Sequence, residues 1–121
     1  MTKMQSSKQY DLEERTLEFA QRVRAFVKKL PKTTANIEDG RQAIKASGSV
    51  GANYIEANEA LSKKDFVMRI KICRKEAKES GYWLKLTDIN RDEDMEVQQK
   101  DLQREASELT NIFGAILRKS K

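Results

Sequence analysis

Through most of this chain the residues fit for an interior return at alternating steps of three and four. That spacing gathers them on one face of an α-helix and scatters them over both faces of a strand. Leu12, Thr16, Phe19, Val23, Phe26 and Leu30 form the first such line, and Arg15, Arg22, Arg24, Lys28 and Lys29 fall off it. Pro31 ends the segment, because it has no amide hydrogen to donate and restricts the residue before it. One proline and five glycines in 121 residues leave few other breakers, so long helices are favoured over sheet. The pattern predicts a first helix over about 10–30, preceded by a polar, frayed opening, MTKMQSSKQ.

A second helix is expected over about 34–61, with Ile37, Ile44, Ser47, Gly51, Ile55, Asn58 and Leu61 as its inward stripe. Its middle, ASGSVGA, holds Gly48 and Gly51, and a glycine inside a helix costs about 1 kcal/mol against alanine. The flanking pattern keeps its phase across them, so one helix is expected, its small residues letting a neighbour come close. Ser62 starts a third helix over about 63–88, with Asp65 at the capping-box position. Its core stripe is Phe66, Ile70, Cys73, Ala77, Ser80, Gly81 and Leu84. TDINRDED reads as a turn in which Asp92 or Asp94 caps a fourth helix, about 93–119, built on Leu102, Ala106, Leu109, Ile112, Phe113, Ile116 and Leu117. Four amphipathic helices with short turns predict an all-α fold, an antiparallel up-down-up-down four-helix bundle forming a single domain over residues 1–121.

The third helix has more faces than a bundle requires. Beside its core stripe, Met68, Ile72, Trp83 and Leu86 form a second apolar strip. Two readings stay open for it: packing against a helix of the same chain, or a subunit interface. The tryptophan favours the interface. A third face carries Lys64, Lys71, Lys78 and Lys85 at seven-residue intervals, with Arg74 and Lys75 beside them. Such a row is either a solvated surface or a set of contacts to phosphates. The chain's net charge of +5 suits a nucleic-acid partner without requiring one. Asn53, Glu56, Glu76 and Glu79 are the polar groups expected inside, as a hydrogen-bond network between helices or subunits; acid–base work by the glutamates would need a pocket that small-residue packing does not suggest.

The chain holds no histidine, which removes histidine-based triads, the Glu-x-x-His motif of di-iron bundles and most zinc sites. Cys73 lies on a core stripe and reads as a packed small hydrophobe. Asp88, Asn90 and Asp92 begin like a calcium loop, but Glu93 stands where the loop needs glycine and Gln99 where it needs glutamate. GSVG lacks the spacing and the lysine of a phosphate loop. No enzyme and no cofactor are expected. A lone cysteine, no apolar run of membrane length and no signal-peptide pattern lead to the expectation of a cytoplasmic protein.

Two stretches carry a resemblance: SGSVGANYIEANEALSKKDFVMRIKICRKEAKESGYWLKL, residues 47–86, and ASELTNIFGAILRKSK, residues 106–121. They resemble the bacterial four-helix bundle family that includes the proteins encoded in 23S rRNA intervening sequences. The matching positions are Ser49, Gly51, Ala52, Asn53 and Glu56; then Ser62, Asp65 and Phe66; then Lys75, Glu76, Ala77, Glu79, Ser80, Tyr82, Trp83, Leu84 and Leu86. The resemblance implies a four-helix bundle that assembles into a ring-like homopentamer. It also implies kinship with the accessory protein of diversity-generating retroelements, a basic pentameric barrel that works with a reverse transcriptase and nucleic acid. The expected function is therefore a homo-oligomeric accessory protein that binds RNA or DNA through phosphate contacts. The competing expectation is a scaffold ring whose partner is a protein.

Overall fold

Four side-chain oxygens set the helix starts in this structure, a computed structural model that describes residues 11–120. The expectation for the opening nine residues, and the first helix's expected start at residue 10, lie outside the described residues. Asp11 Oδ1 accepts from the Glu14 amide at 3.2 Å and starts α1 (Leu12–Lys29). Thr33 Oγ1 accepts from Asn36 N at 3.1 Å and starts α2 (Thr34–Asn58). Ser62 Oγ accepts from Asp65 N at 3.1 Å and starts α3 (Lys63–Leu86). Asp92 Oδ1 accepts from Met95 N at 3.0 Å and starts α4 (Glu93–Lys119). Each bond satisfies an amide that the first helical turn leaves without a partner.

The helices pack in a closed cycle, α1 on α2, α2 on α3, α3 on α4 and α4 on α1, with the last contact the thinnest. Successive neighbours run antiparallel because the connections, 30–33, 59–62 and 87–92, are too short for anything else. The core is built on Phe19, Val23 and Phe26 of α1, Ile70 and Leu84 of α3, and Leu109 and Phe113 of α4. Tyr54 of α2 closes on Phe113 with ring centroids 5.8 Å apart.

The inward face of α2 differs from the expected stripe. Asn36, Gly40, Ala43, Ala46, Ser47, Val50 and Ala57 are buried, a set turned by roughly 90° from the aliphatic residues at 100° per residue. The helix ends at Asn58, short of the expected 61, which leaves Leu61 in the connection and 101% exposed; within the helix, Ile37 and Ile55 are each 50% exposed. The reason is close approach. A Cβ at Gly40 would stand 2.7 Å from Val27 Cγ1, and one at Gly51 would stand 2.9 Å from Thr16 Oγ1. Between two such near neighbours only small side chains fit inside, so the bulky ones sit at the rim. Gly51 does what the sequence suggested; Gly48 does not, since a Cβ there meets only Arg24 Nη2 at 4.0 Å.

One end of the bundle is tied by a residue that the periodicity did not single out. Asn36, 2% exposed, donates from Nδ2 to the carbonyls of Pro31 (3.0 Å) and Asp88 (2.8 Å), and its Oδ1 accepts from Asp88 N at 2.9 Å. It joins the α1–α2 and α3–α4 connections. In the latter, Asp88 Oδ1 takes the Asn90 amide at 2.8 Å, and Asn90 and Arg91 turn through positive φ, 56° and 62°. Gln99 Nε2 donates to the carbonyls of Leu84 and Thr87, each at 3.0 Å, which closes the end of α3. The thin α1–α4 side is fastened by Arg15, whose Nε and Nη2 donate to Glu105 at 2.8 and 2.9 Å; Nη2 also donates to Glu108 at 2.9 Å.

Candidate nucleic-acid interface

α3 carries every surface that the sequence singled out, and the fold decides which of them work together. Its core side buries Ile70, Cys73, Ala77, Ser80 and Leu84. Cys73 Sγ donates to the Val50 carbonyl at 3.4 Å, and burial pushes its thiol up to about 12, so it fills space as a protonated hydrophobe. Lys64, Lys71, Arg74, Lys75, Lys78 and Lys85 are all exposed. Among the described residues none of them forms an ion pair.

The structure divides this row into three. Lys64 and Lys71 flank Val67 and Met68 near the start of α3. Lys75 lines neither place, and its charge acts with that of Lys45 on the Glu76 carboxyl. Arg74, Lys78 and Lys85 line a groove of about 480 Å³ between α3 and α4, together with Tyr82 and with Gln103, Ser107 and Asn111 of α4. From Arg74 to Lys85 the helix rises about 16 Å, the length of roughly five stacked nucleotides. No carboxylate lines the groove. Gly81 lies in its floor, and Gly114 lies beyond its lining, next to Arg74. A Cβ at Gly81 would meet Ala106 Cβ at 3.4 Å, an ordinary contact, so α3 and α4 lie one methyl apart at the floor. At Gly114 a Cβ would stand 3.5 Å from Arg118 Nη1 and 3.9 Å from Arg74 Nε, so guanidinium groups from both helices converge over one bare stretch of backbone. Arg118 is not among the cations that the sequence pattern singles out. Its place one turn beyond Gly114 was the signal, but only the α3–α4 pairing sets it opposite Arg74.

The second apolar strip separates in the same way. Met68 and Leu86 are each 47% exposed, while Ile72 and Trp83 are half-buried. Trp83 packs against the chain's own core and meets Tyr82 edge to face, with centroids 5.2 Å apart at 73°. Further exposed apolar residues stand on α1 and α2, with Leu17 and Ile55 beside one hollow and Ile37 beside another; the sequence pattern assigns Ile37 and Ile55 to the core, and the fold does not.

Of the polar residues expected inside, Asn53 joins helices. Its Nδ2 donates to Ser49 O (2.9 Å) and Ser49 Oγ (3.0 Å), and its Oδ1 accepts from Arg69 Nη1 at 3.0 Å. Arg69 was not anticipated, and its buried Nε has no partner among the described residues. Glu56, Glu76 and Glu79 make no side-chain hydrogen bond or ion pair among the described residues. Burial raises the Glu76 carboxyl above the usual carboxylate range and the Glu79 charge adds to this; Lys75 and Lys45 act against it.

Chemically, the groove offers cations, an exposed aromatic ring and free amide and hydroxyl groups, a set suited to polyanions. Among the described residues no group of three or more cysteine, aspartate or glutamate side chains is placed to hold a metal, and no helix is long and apolar enough to cross a membrane.

Comparison with known proteins places the chain. No curated protein matches it. A crystal structure from Bacteroides thetaiotaomicron VPI-5482, of a protein with unknown function from the S23 ribosomal protein family, superposes with a TM-score of 0.74 at 30% identity, covering 88% of this chain and 94% of that one. The profile of the 23S rRNA-intervening sequence protein family matches residues 8–115, and the chain belongs to that family.

Proposed function

We propose that this protein is a non-enzymatic, homo-oligomeric accessory protein of the cytoplasm that binds RNA or DNA through phosphate contacts along α3. The observation that supports this most is the run of exposed cations, unpaired among the described residues, that leads into a groove without a carboxylate. Binding of this kind is weakly sequence-specific and strongly dependent on salt, because each phosphate contact releases counterions. The ring-like homopentamer and a reverse transcriptase as partner belong to the same reading and rest on the family's kinship. Met68 and Leu86 are its interface candidates, with the outer edges of Ile72 and Trp83 beside them.

The test is titration against structured RNA, single strands and duplex DNA across a salt series. Wild type should retain affinity at physiological salt, and Lys71→Glu/Lys78→Glu/Lys85→Glu should lose it while keeping its helical circular dichroism. Equal binding by the triple variant would remove this row as the site. For assembly, Met68→Ala/Leu86→Ala should lower the mass seen by light scattering; an unchanged mass would exclude this strip as the interface.

A second reading, a scaffold whose partner is a protein, is favoured by the exposed Leu17, Ile37 and Ile55 on the α1–α2 side. It predicts a specific co-purifying protein and little nucleic-acid affinity at physiological salt.

A further inference from the structure

The α3–α4 groove has features that phosphate contact alone does not require. Tyr82 is 58% exposed, and its ring is braced edge to face by Trp83, which is anchored in the core. A ring held open in this way at the wall of a cationic groove presents a face on which a base can stack. Opposite it, the side chains of Gln103, Ser107 and Asn111 make no hydrogen bond among the described residues, so their donors and acceptors are open to base edges or sugar hydroxyls. Just beyond its lining, at the Arg74 end, Arg74 and Arg118 converge over Gly114 with no acidic partner among the described residues, an arrangement that a phosphate would relieve.

We infer that this groove is a binding site for single-stranded nucleic acid, with a phosphate held between Arg74 and Arg118, a base stacked on Tyr82, and the backbone followed by Lys78 and Lys85. The inference rests on the nucleic-acid reading above and goes beyond it in naming the strand form and a second helix as part of the site. A duplex keeps its bases stacked inward and uses only the charge; a single strand uses the ring and the amides as well.

The experiment is fluorescence anisotropy with three labelled probes at one salt concentration: a twelve-residue oligouridylate, the matching oligothymidylate and a blunt DNA duplex. Wild type should bind both single strands more tightly than the duplex. Tyr82→Ala should weaken single-strand binding about tenfold or more, leave duplex binding unchanged, and be rescued by Tyr82→Phe. Arg118→Ala should lower the salt slope by about one. A tighter uridylate complex assigns the groove to RNA, a tighter thymidylate complex to DNA, and both support it. Equal single-strand binding by Tyr82→Ala, or a preference for the duplex, overturns the single-strand site while the phosphate reading stands. Absence of binding to all three probes overturns both and leaves the protein-partner reading.

Discussion

Gly51→Ala tests the packing that organises this bundle. At an open helical position the substitution stabilises by about 1 kcal/mol, because alanine restricts the unfolded chain and shields the backbone. At Gly51 the new methyl meets Thr16 Oγ1 at 2.9 Å and Thr16 Cβ at 3.3 Å. Thr16 has little room to yield. It is fully buried and β-branched, and its hydroxyl donates to the Leu12 carbonyl at 2.6 Å. Ordinary contact begins near 3.4 Å, so about half an ångström must be found by moving α1 away from α2. Overpacking of this size costs about 1–3 kcal/mol, which exceeds the propensity gain and leaves a net loss of about 1 kcal/mol. Gly48→Ala is the internal control: with only Arg24 Nη2 at 4.0 Å, it should stabilise by about 0.5–1 kcal/mol. Urea denaturation followed by circular dichroism, at one fixed protein concentration, measures both. Thr16→Ala should reverse the sign of the Gly51→Ala effect, with a coupling of about 1–2 kcal/mol in the double-mutant cycle. If Gly51→Ala stabilises as much as Gly48→Ala, or the cycle shows no coupling, close α1–α2 contact is not what the small residues serve.

Three further outcomes follow from particular contacts. Asn36→Ala should cost about 1–2 kcal/mol in chemical denaturation, because the Asp88 amide loses its acceptor at a partly buried place and two connections are released at once. Glu105→Gln should cost about 1 kcal/mol and the more exposed Glu108→Gln less than about 0.5, since water screens the outer partner of Arg15; equal losses would contradict this division. Glu76 has a folded-state pKa above its unfolded value, so its ionisation disfavours folding and the penalty is present at neutral pH. Glu76→Gln should therefore stabilise at neutral pH. That advantage should fade as the pH falls through the folded pKa and the wild-type carboxyl takes up its proton; a difference independent of pH would mean that charge is not the cause.

The sequence by itself determined where helices lie. Asp11, Thr33, Ser62 and Asp92 supply capping oxygens, Pro31 ends α1, and the three-and-four spacing marks the buried line of α1 and most of the buried residues of α3 and α4, with Phe66, Gly81, Ile112, Ile116 and Leu117 only partly buried. These signals are local, acting within a turn or two of backbone, and are therefore legible without knowing the neighbours. The basic row of α3 was legible for the same reason, since seven-residue spacing fixes a face.

Only the tertiary structure decided which face of α2 turns inward. Hydrophobicity favours Ile37 and Ile55, but the gap between α1 and α3 admits only Gly40, Ala43, Ser47 and Val50, and volume overrides transfer energy when two helices come this close. The fold also decided which cations form a site. Lys64, Lys71, Lys78 and Lys85 are equivalent on a helical wheel. The pairing of α3 with α4 takes Lys78 and Lys85 into a groove with Arg74, brings Arg118 from 44 positions along the chain, and leaves Lys64 and Lys71 beside Met68. Convergence of charge is a property of two helices meeting, and no single stretch of sequence contains it.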